Sequence, residues 1–272
     1  MQEALFQQYA QVVQDNFGIQ LPIEKKALLE SRLFKLLSNH INEAGFADET
    51  DFLHYVREDA SGTAMNLLAE AITTHHTFFM READHFNFYS KQVLPYLAST
   101  IKDGDVRTWC AACSSGEESY TLAMIMSEFF ALQGPQWDTI LLATDLSQEI
   151  LDTARRGIYT DEAVRGLPPQ WKGQFFHKLA TGDWQVSQNL QQQVLYRRFN
   201  LMNPVFPFKK PFHVIFCRNV MIYFDTETRD SLVRKFYDFL EPGGFLFVGH
   251  SEVIDRQSAP FEYVMPSVYR KK

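Results

Sequence analysis

Val106-Arg-Thr-Trp-Cys-Ala-Ala-Cys-Ser-Ser-Gly-Glu-Glu118 is the stretch on which the reading of this chain turns. A short apolar run loses its large side chains between Ala111 and Gly116, then opens an amphipathic segment from Glu117 to Phe130. Physically that is a strand, a tight loop and a helix. Small residues let backbone approach a ligand closely, and the start of the helix offers free N–H groups. The spacing predicts a cofactor here.

Downstream, strands and helices alternate. Thr139–Thr144 is a second apolar strand closed by Asp145-Leu-Ser, and Gln148–Arg156 is helical. Val194–Phe199 is a third strand, and His213–Cys217, ending in Arg218-Asn219, a fourth. A helix over Thr226–Leu240 is followed by Pro242-Gly243-Gly244, which turns the chain into a fifth strand, Phe245–Gly249. Phe261–Val264 and Val268–Arg270 form a closing hairpin around Pro266. This α/β alternation calls for a parallel sheet with helices on both faces and a ligand crevice along one edge. Phe175–Arg198 interrupts it, with weak strand character and a polar turn, and is expected to project as a small β insertion near 176–198.

Upstream, residues 1–72 read as helices only. Phe6, Tyr9, Val12, Val13 and Phe17 recur at three- and four-residue steps, the mark of one buried face. Further helices are expected over Glu24–His40, Asp48–Glu58 and Gly62–Thr73, punctuated by Gly18, Pro22, Gly45 and Ser61-Gly62. The chain then divides into a small helical domain (1–72), a linker (73–90) and an α/β domain (91–272).

The formal net charge of −7 argues against a general nucleic-acid binder, and no apolar run is long enough to span a membrane. The N-terminus lacks the basic-then-apolar pattern of a secretory signal. With three cysteines in apolar surroundings, a reducing, cytoplasmic setting is expected, and the chain is expected to be a monomer. Cys110 and Cys113 have metal-like spacing but no partner pair, and adjacent His75 and His76 point apart, so no metal is expected.

Within residues 1–72, five Lys/Arg face eleven Asp/Glu, yet four of those five cations lie between Lys25 and Lys35. Lys25, Arg32 and Lys35 share one side of a helix. From spacing alone the simpler reading is long cationic side chains snorkelling from a buried helix; the other is a docking surface for an acidic partner.

The loop after the first strand carries only Gly116, without the G-x-G-x-x-G of a dinucleotide site, so a pyrophosphate cradle is not expected. Asp145, at the end of the next strand, can accept both hydroxyls of a ribose. Sheet, small-residue loop and acid together suggest S-adenosylmethionine.

Five ordered blocks carry a resemblance. Thr-Phe-Phe-Met-Arg-Glu (77–82), Trp-Cys-Ala-Ala-Cys-Ser-Ser-Gly-Glu-Glu (109–118), Ala-Thr-Asp-Leu-Ser (143–147), Phe-Cys-Arg-Asn-Val-Met-Ile-Tyr-Phe (216–224) and Gly-His-Ser-Glu (249–252) closely resemble the chemotaxis receptor methyltransferases, the CheR family. The resemblance spans nearly the whole chain. It implies a Rossmann-like class I S-adenosylmethionine methyltransferase domain behind the helical one. It also implies methylation of glutamate side chains on the cytoplasmic helices of methyl-accepting chemoreceptors, with S-adenosylhomocysteine as product. Cofactor contacts implied by the match are His75, Thr77, Arg81, Ala112, Glu118, Asp145, Asn200, Leu201, Arg218 and Asn219. His75 stands where the family usually has Asn, and imidazole can make one hydrogen bond in its place. Arg81 and Tyr223 are the candidates for orienting the substrate carboxylate, although Tyr223 is equally readable as a packed aromatic. The resemblance favours Lys25, Arg32 and Lys35 as a receptor-facing patch, and puts a receptor's C-terminal peptide near 176–198 in some members. Two other readings remain open at this point: an enzyme methylating another protein or small-molecule carboxylate, and a cofactor-responsive module without catalysis.

Overall fold

The computed structural model describes residues 1–44, 47–255 and 257–272, with backbone only for 39–44; Gly45, expected as punctuation, lies outside the described residues. Four helices form the N-terminal unit: α1 (Glu3–Phe17), α2 (Lys26–Ala44), α3 (Glu49–Glu58) and α4 (Thr63–Ile72). Phe6, Tyr9, Val13 and Phe17 of α1 meet Leu29 and Leu33 of α2, Phe52 of α3 and Leu68 of α4 in one closed apolar core. Val12, expected on the same face, is only partly buried. The second helix begins later than its pattern suggests, because Ile23–Lys25 forms a separate 3-10 turn after Pro22. Gly18 ends α1 in the left-handed region at φ +69°, and a Cβ there would lie 2.5 Å from Met202 Sδ of the other domain.

Extended chain over 73–78 leads into α5 (Ala83–Phe88), so the later part of the expected linker is helical. A π-helical turn, Tyr89–Val93, joins α5 to α6 (Leu94–Thr100). The large sheet then begins with β1 (Thr108–Cys110), followed by α7 (Glu117–Ala131), β2 (Leu141–Asp145) and α8 (Gln148–Arg156). Next come β3 (Ile158–Tyr159), α9 (Pro169–Phe175), β4 (Phe176–Lys178), β5 (Trp184–Val186) and α10 (Gln188–Gln191). The remaining elements are β6 (Val194–Arg198), β7 (Phe212–Cys217), α11 (Thr226–Asp238), β8 (Leu240–Val248), β9 (Phe261–Met265) and β10 (Val268–Lys271).

Seven strands lie in the order β6-β2-β1-β7-β8-β10-β9, the first five parallel and β10 antiparallel to both neighbours. The order reverses between β1 and β7, and in such doubly wound, Rossmann-like sheets the ligand crevice opens at the carboxyl ends of those two strands. Alternate residues of the buried strands feed two cores. On one face the Phe216 and Phe247 rings stack with centroids 4.2 Å apart. On the other, Trp109 packs against Phe206, Phe212 and Phe236, its indole N–H donating to Thr144 Oγ1.

Two expectations need correction. The β insertion is a three-stranded antiparallel sheet, β3-β5-β4, that draws its third strand from Ile158–Tyr159 and ends at Val186; residues 194–198 already belong to the large sheet. Pro242-Gly243-Gly244 lies inside β8, where the register against β7 shifts between Phe212 and Val214; α11 accordingly stops at Asp238.

Candidate active site

At the carboxyl ends of β1 and β7 a cleft of about 1250 Å³, open mouth included, is walled by both domains. Its floor is the loop after β1. The Ala111 N–H donates to the Phe216 carbonyl and the Cys113 N–H to the Thr144 carbonyl, stitching the loop to the neighbouring strands. Gly116 caps α7 at φ +99°, where a Cβ would come within 2.8 Å of Tyr159 Oη. No larger residue fits, and the single methyl groups of Ala111 and Ala112 leave the cleft open above them.

Two acids flank that floor. Glu118, in the first turn of α7, accepts from Arg218 Nη1 at 2.7 Å and from Cys110 Sγ at 3.3 Å. Asp145, ending β2, accepts from the N–H of Ser114 at 2.8 Å and of Ser147 at 3.2 Å. Burial pushes both carboxyls above their ordinary range, opposed by Arg218 at Glu118 and by His75 at Asp145.

Arg218, just past β7, is fully enclosed. Besides Glu118, its guanidinium donates to the Arg81 carbonyl and to Glu82 Oε2 at 2.9 Å. Burial alone would raise the Glu82 carboxyl, but Arg218, Asn219 and the His250 N–H hold it below the usual range. Asn219 follows at φ +59°, its amide donating to Glu82 Oε1 and its backbone N–H to Glu252 Oε2. Asn200, beyond β6, donates its side-chain amide to the Asn16 carbonyl of the helical domain, and Leu201 beside it is buried against the cleft.

His75, Thr77 and Arg81 enter from the extended chain after α4 and line the same cleft; Arg81 Nη1 donates to the His76 carbonyl at 2.7 Å. Tyr223 lines it from the 3-10 turn Met221–Tyr223. All ten residues expected to contact the cofactor therefore meet around one cavity, which Tyr223 also lines.

The cationic trio separates. Lys25 Nζ sits 5.3 Å above the Tyr223 ring. Arg32 Nη1 donates to the carbonyls of Ala71, Ile72 and Thr73, and Nη2 to Thr74 Oγ1, clamping the end of α4. Lys35 is exposed and does not line the cleft.

Residues 75–269 match the family model described as CheR methyltransferase, SAM binding domain. The chain belongs to the CheR methyltransferase family. A chemotaxis protein methyltransferase of Borreliella burgdorferi is 40% identical over 263 residues, covering 96% of this chain and 91% of that one. One from Escherichia coli K12 is 32% identical over 275 residues, 99% of this chain and 91% of the relative. Among solved structures, the rRNA methyltransferase aviRa of Streptomyces viridochromogenes aligns over 75% of this chain and 88% of its own at 15% identity and a TM-score of 0.42.

Membership makes the α/β unit a class I methyltransferase fold and S-adenosylmethionine the cofactor of this CheR chain. The cleft suits that compound. It offers carboxylates for an ammonium group and a ribose diol, an arginine for a carboxylate, and apolar Leu146, Phe199 and Leu201 for a flat base. Ser114 Oγ lines the cleft, buried and without a partner among the described residues, so a polar ligand would satisfy it.

Sequence reasoning missed the carboxylates that brace this CheR site from behind. Glu252 accepts three backbone N–H groups, from Gly249, Asn219 and Met221, fixing the loop that carries Asn219 and Tyr223. Gly249 is indispensable to that contact, since a Cβ would lie 2.4 Å from Asn219 Nδ2. Both fall in the quoted Gly-His-Ser-Glu block, which was the available signal. Glu82 also approaches His85 and His250, with possible ligand atoms within 4.8 Å of one another. Its Oε2, however, already accepts from Arg218 and from the His250 N–H. Burial and Arg218 pull His85 down to about 4, which keeps it neutral. The three cysteines are buried free thiols pushed up by burial.

Proposed function

We propose that the chain methylates glutamate side-chain carboxylates on the cytoplasmic helices of chemoreceptors, forming methyl esters. The observation that carries this reading is the polarity of the cleft. Its lining sets the braced carboxylates Glu118 and Asp145 beside Arg81, Tyr223 and Lys25, the last from the helical domain. An anionic acceptor presented on a partner protein suits such cations.

S-adenosylmethionine, when bound, supplies a methyl group on a positively charged sulfur. In this reading Asp145 holds the ribose hydroxyls, Glu118 the ammonium group and Arg81 a carboxylate, while Thr77, His75, Ala112 and the 200–201 and 218–219 segments complete the pocket. A glutamate side chain, with a reference pKa near 4.3, is already an anion at neutral pH and needs no general base. The protein's task is alignment, and holding reacting atoms roughly 3–3.5 Å apart and in line can contribute about 7–11 kcal/mol. Tyr223 offers one hydrogen bond to the incoming carboxylate, and Arg81, shared with the cofactor carboxylate, adds charge that offsets part of its desolvation.

Lys25, Leu28, Arg32 and Lys35 follow one another at helical spacing, the first three lining the cleft and Lys35 continuing the stripe outward. This stripe gives an acidic receptor helix a track toward Tyr223, with Lys35 exposed and without an ion-pair partner among the described residues, and Arg32 engaged on backbone carbonyls. The test is incubation with methyl-labelled cofactor and receptor-bearing membranes. Base-labile label on the receptor supports the proposal; label that survives base, or none on the receptor, defeats it.

A further inference from the structure

Glu70 sits in the last turns of α4, in the helical domain, yet its carboxylate reaches the methyltransferase domain. One oxygen accepts the Ser147 hydroxyl, and the other accepts the N–H of Gln148 at 2.6 Å and of Glu149 at 3.2 Å. Those are leading N–H groups of α8, which have no carbonyl partner inside the helix, and a negative charge there is favoured by the helix dipole. Ser147 is itself the N-cap of α8, accepting from the Ile150 N–H at 3.1 Å. Its own N–H donates to Asp145 Oδ1. A continuous run of hydrogen bonds thus connects the helical domain to the acid at the end of β2. The same end of α4 feeds straight into Thr73–Thr77, which also line the cleft, and Arg32 grips the carbonyls at that junction.

The geometry points to Glu70 as a positioning residue that ties closure of the helical domain to the seat of Asp145. The cofactor then binds a cleft assembled by both domains, and by linkage its binding tightens the contact between them. A merely structural tie would lower stability without touching cofactor affinity. The inference rests on the cofactor lying in this cleft.

The experiment is calorimetric titration of the full chain with S-adenosylhomocysteine. Glu70→Ala removes charge-assisted hydrogen bonds and should weaken binding about ten-fold. Glu70→Gln keeps an acceptor for the Gln148 N–H and can donate to Ser147, so it should recover to within about three-fold of wild type. Ser147→Ala should weaken binding too, and adding it to Glu70→Ala should cost less than the two separately. Hydrogen exchange gives a second readout: the ligand should slow the amides of the last turn of α4 in wild type but not in Glu70→Ala. Wild-type affinity in Glu70→Ala, or fully additive losses in the double variant, overturns the inference alone. If Glu70→Ala does not fold, Ser147→Ala decides, and wild-type affinity in that variant overturns the inference. A wild-type chain that binds no ligand overturns the cofactor placement as well.

Discussion

Arg218 carries more of this site than its single charge suggests. It bridges Glu82 and Glu118, lies over the Phe86 ring at 5.1 Å, and has left-handed backbone beside it at Glu82 and Asn219. Glu82, Ser114 and Asn219 all have positive φ without being glycine, a strain of order 1–3 kcal/mol each that persists only where surroundings enforce it. Replacing Arg218 by Met would leave two enclosed carboxylates without a counter-charge, so stability should fall by about 3–5 kcal/mol in urea denaturation. A loss under about 1 kcal/mol would show that the ion pairs are not what holds the 218–219 segment. The acids also set a pH response. Glu82 has its carboxyl lowered, so its contribution to folding is complete above its unfolded pKa and disappears as pH falls through the folded one. Asp145 is shifted the other way, upward, chiefly by burial. Its ionised form is the one that can accept two ribose hydroxyls, so cofactor affinity should start to fall at a higher pH than an ordinary carboxylate would give. Titration from neutral to mildly acidic buffer should show this decline in wild type and not in Asp145→Asn, which binds weakly throughout. An equal decline in Asp145→Asn would assign the effect to another group.

At the scale of elements, β2 and β7 were legible because strands buried on both faces read as continuous apolar runs, while β6, an edge strand with alternating burial, still falls close to the expected Val194–Phe199. The helix expected over Gln148–Arg156 forms with those bounds, Ser147 capping its start and Gly157, in the left-handed region, its end. What the sequence hides is what contact at a distance decides. Two residues, Ile158 and Tyr159, make a strand only because β5 pairs with them, and no periodicity can show in so short a segment. Pro242-Gly243-Gly244 has turn composition but sits as an irregularity in β8 because Gly244 leaves no room for a Cβ beside the His213 carbonyl. Glu70, Glu82 and Glu252 look like surface acids until the fold brings backbone N–H groups or Arg218 to them. The loop after β7 shows the same dependence. Its Tyr223 carbonyl accepts the Gln20 N–H at 2.8 Å, and Ile19 bridges Phe224, so the connection between α1 and α2 fixes the turn that presents the phenol. With the ring held this way, Tyr223→Phe should remove only the hydroxyl, lowering turnover about ten-fold while cofactor affinity stays near wild type. Unchanged turnover would return Tyr223 to the role of a packed aromatic.

Across the whole molecule, a net charge of −7 has to be reconciled with the acidic partner proposed above, and the arrangement of cations does so locally. The helical domain is anchored to the methyltransferase domain around the cleft, through Glu70 on α8, Asn200 on the Asn16 carbonyl, and Gln14 on Asp225. Its cations therefore cannot be treated as one interchangeable patch. Lys25 is committed to Tyr223 and Arg32 to the end of α4, whereas Lys35 stands in solvent, where its attraction acts through water and ions over a Debye length of about 8 Å at physiological salt. Charge at such a position changes encounter more than the final complex. Lys35→Ala should slow association with receptor fragments about two- to three-fold at low ionic strength, and the difference should vanish as salt is raised. Cofactor binding in that variant should match wild type. Arg32→Ala should do the reverse, loosening the junction at Thr73–Thr74 and weakening cofactor binding, with a receptor-association deficit that salt does not erase. Surface plasmon resonance across a salt series, paired with calorimetry, reads both. If Lys35→Ala associates like wild type at low salt, the outward stripe of α2 is not the track along which a receptor helix approaches, and the encounter must be sought on another face of the helical domain.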